Sequence, residues 1–138
     1  MDNCKSYSVN DNRKFFNHPL TRMVIGCAIE VHKQLGPGLL ESTYEKCLAY
    51  EFDENNIEYV VQASLPVYYK EICIDCGYRL DFLVENFIVV ELKSVAELNA
   101  THMAQTLTYM KLAEVPLGLL FNFNKPKLTD GIRKLVLE

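Results

Sequence analysis

Three charged residues fall within a stretch whose neighbours read as a buried β-hairpin. Tyr78–Val84 and Phe87–Lys93 are rich in β-branched and aromatic residues. The two-residue link Glu85-Asn86 joins them, which predicts an antiparallel pair. Alternation along the second strand puts Phe87, Val89, Glu91 and Lys93 on one face and Ile88, Val90 and Leu92 on the other. On the first strand Asp81 lies between Leu80 and Phe82 and should face away from both. An unpaired charge inside a sheet domain costs roughly several kcal/mol, so these groups need partners or a metal. One such residue alone would read as a strand-end ion pair; three converging on one hairpin read as a site.

Two carboxylates at the ends of adjacent strands can hold a hard divalent cation such as Mg²⁺ or Mn²⁺ through its preference for oxygen. The cation offsets their repulsion and lowers the pKa of a bound water. Lys93, two residues after Glu91, points to the same side. There it can orient or deprotonate the water, or stabilise charge growing on a phosphoryl oxygen. Asp, then Glu-x-Lys, is the arrangement expected for metal-assisted phosphodiester hydrolysis.

Other polar residues lie on faces that should be apolar. Glu41 aligns with Tyr44 and Leu48 on a helical wheel, although an acid near a helix N-terminus also suits the helix dipole. His32 falls beside Ile25 and Ala28 on the apolar side of an earlier helix, as a core histidine or a metal ligand. Gln105 and Tyr109, spaced i, i+4 with His102 on the same side, can hold a lysine or a phosphate, or simply anchor a core edge. Cys73 and Cys76 form a lone Cys-x-x-Cys with no second pair, and read as two buried thiols rather than a zinc site.

These groups need elements to hold them. Asn17–Thr21 reads as a helix start with Thr21 as N-cap. Val24, Cys27, Ala28, Val31 and Leu35 then recur at helical spacing until Gly36-Pro37-Gly38. A second helix is expected from about Leu39 to Asn55, with Leu40, Tyr44, Cys47 and Leu48 inward. Tyr59–Val61, Leu65–Tyr69 and Ile72–Ile74 read as strands before the hairpin. A helix over about Asn99–Ala113, a buried strand over Leu117–Phe123 and an edge strand over Ile132–Leu137 follow it. This order predicts an α/β (α+β) sandwich, a central mixed β-sheet flanked by helices. Residues 1–17 are polar and aperiodic apart from Phe15-Phe16 and read as a flexible arm, with 18–138 as a single domain.

The chain has 138 residues, enough for one ordinary core without a disulfide or metal staple. Its 14 Lys+Arg against 18 Asp+Glu give a charge of −4, which excludes a nonspecific basic coat for nucleic acid. No apolar run approaches the roughly 18–20 residues of a membrane span. The start Met1-Asp2-Asn3-Cys4-Lys5 leads into polar residues, so no signal peptide is expected. With five cysteines, an odd number, reduced thiols and a cytoplasmic location fit best.

Gly38-Leu39-Leu40-Glu41-Ser42-Thr43-Tyr44 resembles the signature of the GxxExxY family of small prokaryotic proteins, within the PD-(D/E)XK nuclease-like superfamily. The resemblance runs from about Leu20 to Ile132. It takes in Val31–Gly38, Tyr78-Arg79-Leu80-Asp81, Val90-Glu91-Leu92-Lys93, Gln105 to Tyr109 and Leu117–Phe123. It implies a restriction-endonuclease-like core, with Asp81 and Glu91 as metal-binding acids and Lys93 as the catalytic lysine. Glu41 matches the acid on the early helix that completes the metal site, and His32 is a further candidate ligand. Gln105 and Tyr109 match a Gln-x-x-x-Tyr pattern that supports the lysine and contacts nucleic acid, and Tyr44 joins them as a binding or supporting residue. Leu80 replaces the proline that precedes the motif's aspartate. The expectation is a Mg²⁺- or Mn²⁺-dependent nuclease acting on nucleic acid, DNA first, with no membrane partner and a homodimer left open. The alternative is a catalytically silent binding or scaffold module on the same fold.

Overall fold

The computed structural model describes residues 17–137. The expected arm over residues 1–17, Asn17 excepted, lies outside the described residues. The first helix, α1 (Pro19–Leu35), begins earlier than its sequence pattern suggests. Its N-cap is His18, whose Nδ1 accepts the Leu20 N–H at 3.1 Å, with Pro19 presetting the first turn. Thr21 is instead buried inside the helix. Gly36 at φ 68° closes α1, a backbone conformation that side chains resist.

The second helix, α2 (Glu41–Glu54), buries Tyr44, Leu48 and Phe52. Leu40, expected on the inward stripe, precedes the helix as its N-cap and is 73% exposed. Among the described residues, seven strands follow in chain order: β1 (Tyr59–Ser64), β2 (Val67–Tyr69), β3 (Ile72–Ile74), β4 (Arg79–Val84), β5 (Ile88–Lys93), β6 (Leu117–Asn122) and β7 (Ile132–Val136). Helix α3 (Ala100–Ala113) joins β5 to β6.

The sheet has the order β1-β4-β5-β6-β7, while β2 and β3 form a separate two-stranded ribbon. The hairpin β4–β5 is antiparallel as its two-residue link predicts, and Glu85 and Asn86 both take positive φ. Strands β5 and β6 are parallel, which requires the crossover through α3. The mixed sheet flanked by helices is therefore present, and no described helix is long and apolar enough to cross a membrane.

Two cores sandwich the sheet. Leu20, Val24, Ala28 and Val31 of α1 and Tyr44, Leu48 and Phe52 of α2 pack on Phe82, Ile88, Val90, Leu92, Leu119 and Phe121. Tyr109 and Met110 of α3 pack on the other face with Ala63, Leu65, Leu80 and Val89. The alternation of β5 is thereby confirmed, with Phe87 as an exception: it packs toward the first core, beside the His18 ring. Strand β4 departs from its expected alternation. Leu80 belongs to the second core and Phe82 to the first, so the two do not share a face. Its neighbour β1 does the same, with Tyr59 against the first core and Ala63 in the second. The reversal falls at Gln62, opposite Asp81, where φ is +51° and the strand turns over.

The turn before β7 sits tight against β6. A Cβ added to Gly131 would collide with the main-chain oxygen of Asn122, whereas one added to Gly26 in α1 meets nothing. Gly131→Ala is expected to lower stability by about 1–3 kcal/mol. Gly26→Ala should raise it by about 0.4–1 kcal/mol. Urea denaturation of the two variants checks both signs, and coincident midpoints would refute the close approach.

Candidate active site

Asp81 and Glu91 are fixed by backbone amides that have left the sheet ladder. Pairing between β4 and β5 runs through Val84–Ile88, Leu83–Val89 and Phe82–Val90. At the next step the Asp81 N–H donates to Glu91 Oε2 at 2.8 Å, and the Leu92 N–H donates to Asp81 Oδ2 at 2.8 Å. Two carboxylates thus take the place of backbone carbonyls where the ladder stops. Each amide keeps a partner, and each side chain is held in one orientation.

Glu91 is only 5% exposed. Burial, and then the neighbouring Asp81 charge, push its carboxyl up to about 8. Lys93 pulls in the opposite direction but does not offset them. The donor set is two carboxylates, one buried and repelled by the other, with oxygen as the only ligand atom. That suits Mg²⁺ or Mn²⁺, which use one or two carboxylates and complete their shell with water and substrate phosphate. Among the described residues no three His, Cys, Asp or Glu side chains gather into a metal-holding group.

Lys93 ends β5 on the α3 side. Its Nζ lies 3.5 Å from Gln105 Oε1, and Gln105 Nε2 donates to the Tyr109 hydroxyl at 3.2 Å. The i, i+4 spacing of Gln105 and Tyr109 aligns them along one stripe of α3, and burial followed by the Glu91 charge raises the Tyr109 hydroxyl. Asp81, Glu91, Lys93, Gln105 and Tyr109 therefore form one neighbourhood.

The remaining candidates are placed differently. Glu41 is exposed in the first turn of α2, and its Oε2 accepts the Ser94 N–H at 3.2 Å, next to Lys93. Ser94 Oγ in turn donates to the Leu39 carbonyl at 2.9 Å. Tyr44 is fully buried, stacked on Phe123 at 4.4 Å. Its hydroxyl donates to the Gly36 carbonyl at 2.6 Å and accepts the Leu39 N–H at 3.1 Å. Tyr44 thus holds the turn that leads into Glu41. His32 is buried with Nε2 at 2.7 Å from the Lys125 carbonyl, a bond that needs the proton on Nε2. His102 closes a capping box with Asn99 at the start of α3. Cys73 and Cys76 are both exposed, not buried, because the β2–β3 ribbon stands outside the sheet.

Three supporting residues carry little sequence signal. Asn122, fully buried, accepts the Val95 and Asn124 N–H groups and donates to the Val95 carbonyl, which fixes the segment after Lys93. A lone amide closing the apolar run Leu117–Phe121 is the sequence clue to it. Gln62 donates to Glu45 at 2.6 Å and to Asp81 Oδ1 at 3.3 Å. Glu45, one helical turn after Glu41, is raised by burial and also by the Asp81 charge, though the Gln62 bond opposes this. Of the early-helix acids, Glu45 is thus tied to Asp81 through Gln62.

A mixed sheet between helices, with paired carboxylates and a lysine at the end of its central hairpin, defines a restriction-endonuclease-like core. The family model of the PD-(D/E)XK nuclease superfamily matches residues 18–135, and the chain belongs to that superfamily. No curated protein and no solved structure matches it.

The raised Glu91 carboxyl predicts a pH signature. Between its ordinary value near 4.5 and about 8, the folded chain keeps a proton that the unfolded chain releases. The stability this contributes is fully present below about 4.5 and is lost as pH rises toward 8. With divalent metal chelated, the loss should be on the order of several kcal/mol. Glu91→Gln should flatten that slope, read by urea denaturation at pH 5.5, 6.5 and 7.5. Parallel slopes for the two proteins would contradict the shift.

Proposed function

We propose that this chain is a Mg²⁺- or Mn²⁺-dependent nuclease that hydrolyses phosphodiester bonds of nucleic acid, DNA in the first instance. The observation that carries the reading is the convergence of Asp81, Glu91 and Lys93 at one point of a buried hairpin. Asp81 and Glu91 would hold the cation, with Glu41 near enough to the end of β5 to join through water or on release of Ser94. When bound, the cation supplies Lewis-acid polarisation of the phosphoryl oxygen and an acidified water. Lys93 places its ammonium against the phosphoryl group and orients the attacking water in line with the leaving oxygen. Gln105, itself braced by Tyr109, fixes the Lys93 ammonium. Tyr44 pins the turn before α2, and Ser94, the residue after Lys93, bonds to Leu39 and Glu41 at the start of that helix. Tethered to Lys125, His32 serves this reading as a brace rather than as a ligand. The likeness of Gly38–Tyr44 to the GxxExxY signature agrees with it.

A catalytically silent scaffold is the second reading. It is favoured by one observation: both carboxylates are already hydrogen-bonded within the fold, so neither needs a ligand for satisfaction.

Cleavage of linear and supercoiled DNA in Mg²⁺, Mn²⁺ and chelator decides between them. Lys93→Ala should slow cleavage by about a hundredfold or more while leaving Mn²⁺ binding intact. Asp81→Asn should weaken Mn²⁺ binding measured by calorimetry. Equal cleavage by Lys93→Ala and wild type would overturn the mechanism, and Mn²⁺ binding without turnover would establish the scaffold. Cation binding at pH 7 should also release close to one proton, because Glu91 must ionise to ligate. Titration in buffers of different ionisation enthalpy counts that proton.

A further inference from the structure

Gln62 stands where β1 turns over, with its backbone held at φ +51°. Glycine or asparagine takes that left-handed region more readily than a long side chain does. Strain of this kind persists only where the surroundings over-determine it, and it gathers at functional sites. Val61 pairs with Phe82 and Ala63 with Leu80, and the register passes over Gln62 and Asp81 between them. The Gln62 side-chain nitrogen donates to Glu45 Oε2 at 2.6 Å and to Asp81 Oδ1 at 3.3 Å. Both partners are carboxylates, which accept, so the amide must turn its nitrogen toward them. The two bonds are unequal: the short one anchors the amide to α2, and the long one leans it on Asp81. Asp81 Oδ2 already accepts the Leu92 N–H, a single bond about which the carboxylate could still turn. The second contact, on Oδ1, fixes its plane. An ionised carboxylate offers about four acceptor sites, so Oδ1 keeps a lone pair for a cation after the Gln62 bond is made.

We propose that Gln62, anchored by Glu45, is a positioning residue that aims Asp81 Oδ1 at the divalent cation. The inference rests on the metal site of the nuclease reading, and it needs the cation to bind but not the substrate to turn over. Neither Gln62 nor Glu45 ligates in this scheme; both act through Asp81. Hydrogen-bond partners of a ligating side chain commonly change metal affinity by about ten- to a hundredfold when removed. A role in the turn alone does not account for the residue. Glycine would serve a left-handed turn better, and the turn by itself calls for no side chain long enough to reach both α2 and β4. The choice of glutamine at a strained position is explained by what its amide holds.

The test uses the full chain, with Mn²⁺ binding followed by calorimetry and by the paramagnetic resonance signal of the free ion. Gln62→Gly suits the left-handed backbone and deletes only the side chain. It should weaken Mn²⁺ binding by about ten- to a hundredfold. Its urea midpoint in chelator should stay close to that of wild type, because relief of the backbone offsets the lost bonds. Gln62→Asn also tolerates this backbone and keeps an amide, but it is one methylene short and should weaken Mn²⁺ binding in the same way. Glu45→Ala, which frees the anchor, should weaken it by a smaller factor. Gln62→Gly combined with Glu45→Ala should bind no worse than Gln62→Gly alone, because both act through one contact on Asp81. A Gln62→Gly protein with a lowered midpoint and unchanged Mn²⁺ affinity would show a merely structural role and overturn the proposal. Losses that multiply in the double variant would overturn it too, since Glu45 would then meet the cation itself. Wild type that binds no Mn²⁺ overturns this inference and the nuclease reading together, whereas equal binding by wild type and Gln62→Gly overturns this inference alone. The expected order of affinities in a protein that cuts no nucleic acid would uphold the positioning role and refute the nuclease reading.

Discussion

The structure depends on the exchange of bonds at the end of the β4–β5 ladder. Two backbone amides that would ordinarily meet carbonyls instead meet the carboxylates of Asp81 and Glu91. The exchange does three things at once. It stops the ladder without leaving an orphaned donor, which would cost about 1–3 kcal/mol for each buried amide. It fixes two acids side by side where free rotamers would let them swing apart. It also accompanies the twist by which Leu80 and Phe82 enter different cores, so β4 serves both layers of the sandwich. An apolar residue at either position would leave an amide unpaired, and the sheet could not end there in the same way.

A second set of bonds fastens the segment after Lys93 from two directions. Glu41 and the Leu39 carbonyl hold Ser94 from the side of α2, and the buried Asn122 amide holds Val95 from β6. The Lys125–Glu97 ion pair at 2.6 Å adds a weaker, exposed contact, and His32 braces the Lys125 carbonyl from α1. The glycine-rich turn after α1, which looks in sequence like mere punctuation, is pinned by Tyr44 so that α2 starts at the edge of the site. Tyr44 acts on geometry: it fixes the turn, and the turn fixes the peptide after the lysine.

Much of this is legible in the sequence because it follows from periodicity. The period of two along Phe87–Lys93 places Glu91 and Lys93 together, and the i, i+4 spacing places Gln105 over Tyr109. The features that escape are set by tertiary contacts. Nothing in Tyr59–Ser64 announces that Gln62 adopts a left-handed conformation and reverses the strand. Nothing local tells that Glu41 finds the Ser94 amide fifty-three positions away, and a helical wheel that turns it inward ignores the exposed N-terminal turn. Burial is the natural expectation for Cys73 and Cys76 because a strand in a small domain is usually buried. The β2–β3 ribbon breaks that rule by leaving the sheet. His18 replaces Thr21 as the cap because a proline at the first helical position fixes the entry one turn earlier.

The acid–base balance of the chain sharpens the role of Glu91. An acidic protein that meets a polyanion gains little from its long-range field, so affinity has to come from short-range terms. At the site, the buried carboxyl near 8 is largely protonated at neutral pH, which removes one negative charge from the place where phosphate would approach. The charge would return as pH rose past about 8, or if a divalent cation bound there and offset it. A phosphate approaching the site would therefore meet less negative charge than two ionised carboxylates present, with the Lys93 ammonium nearby. Two acids held this close need not make the site repulsive, provided that one of them is buried deeply enough to give up its charge.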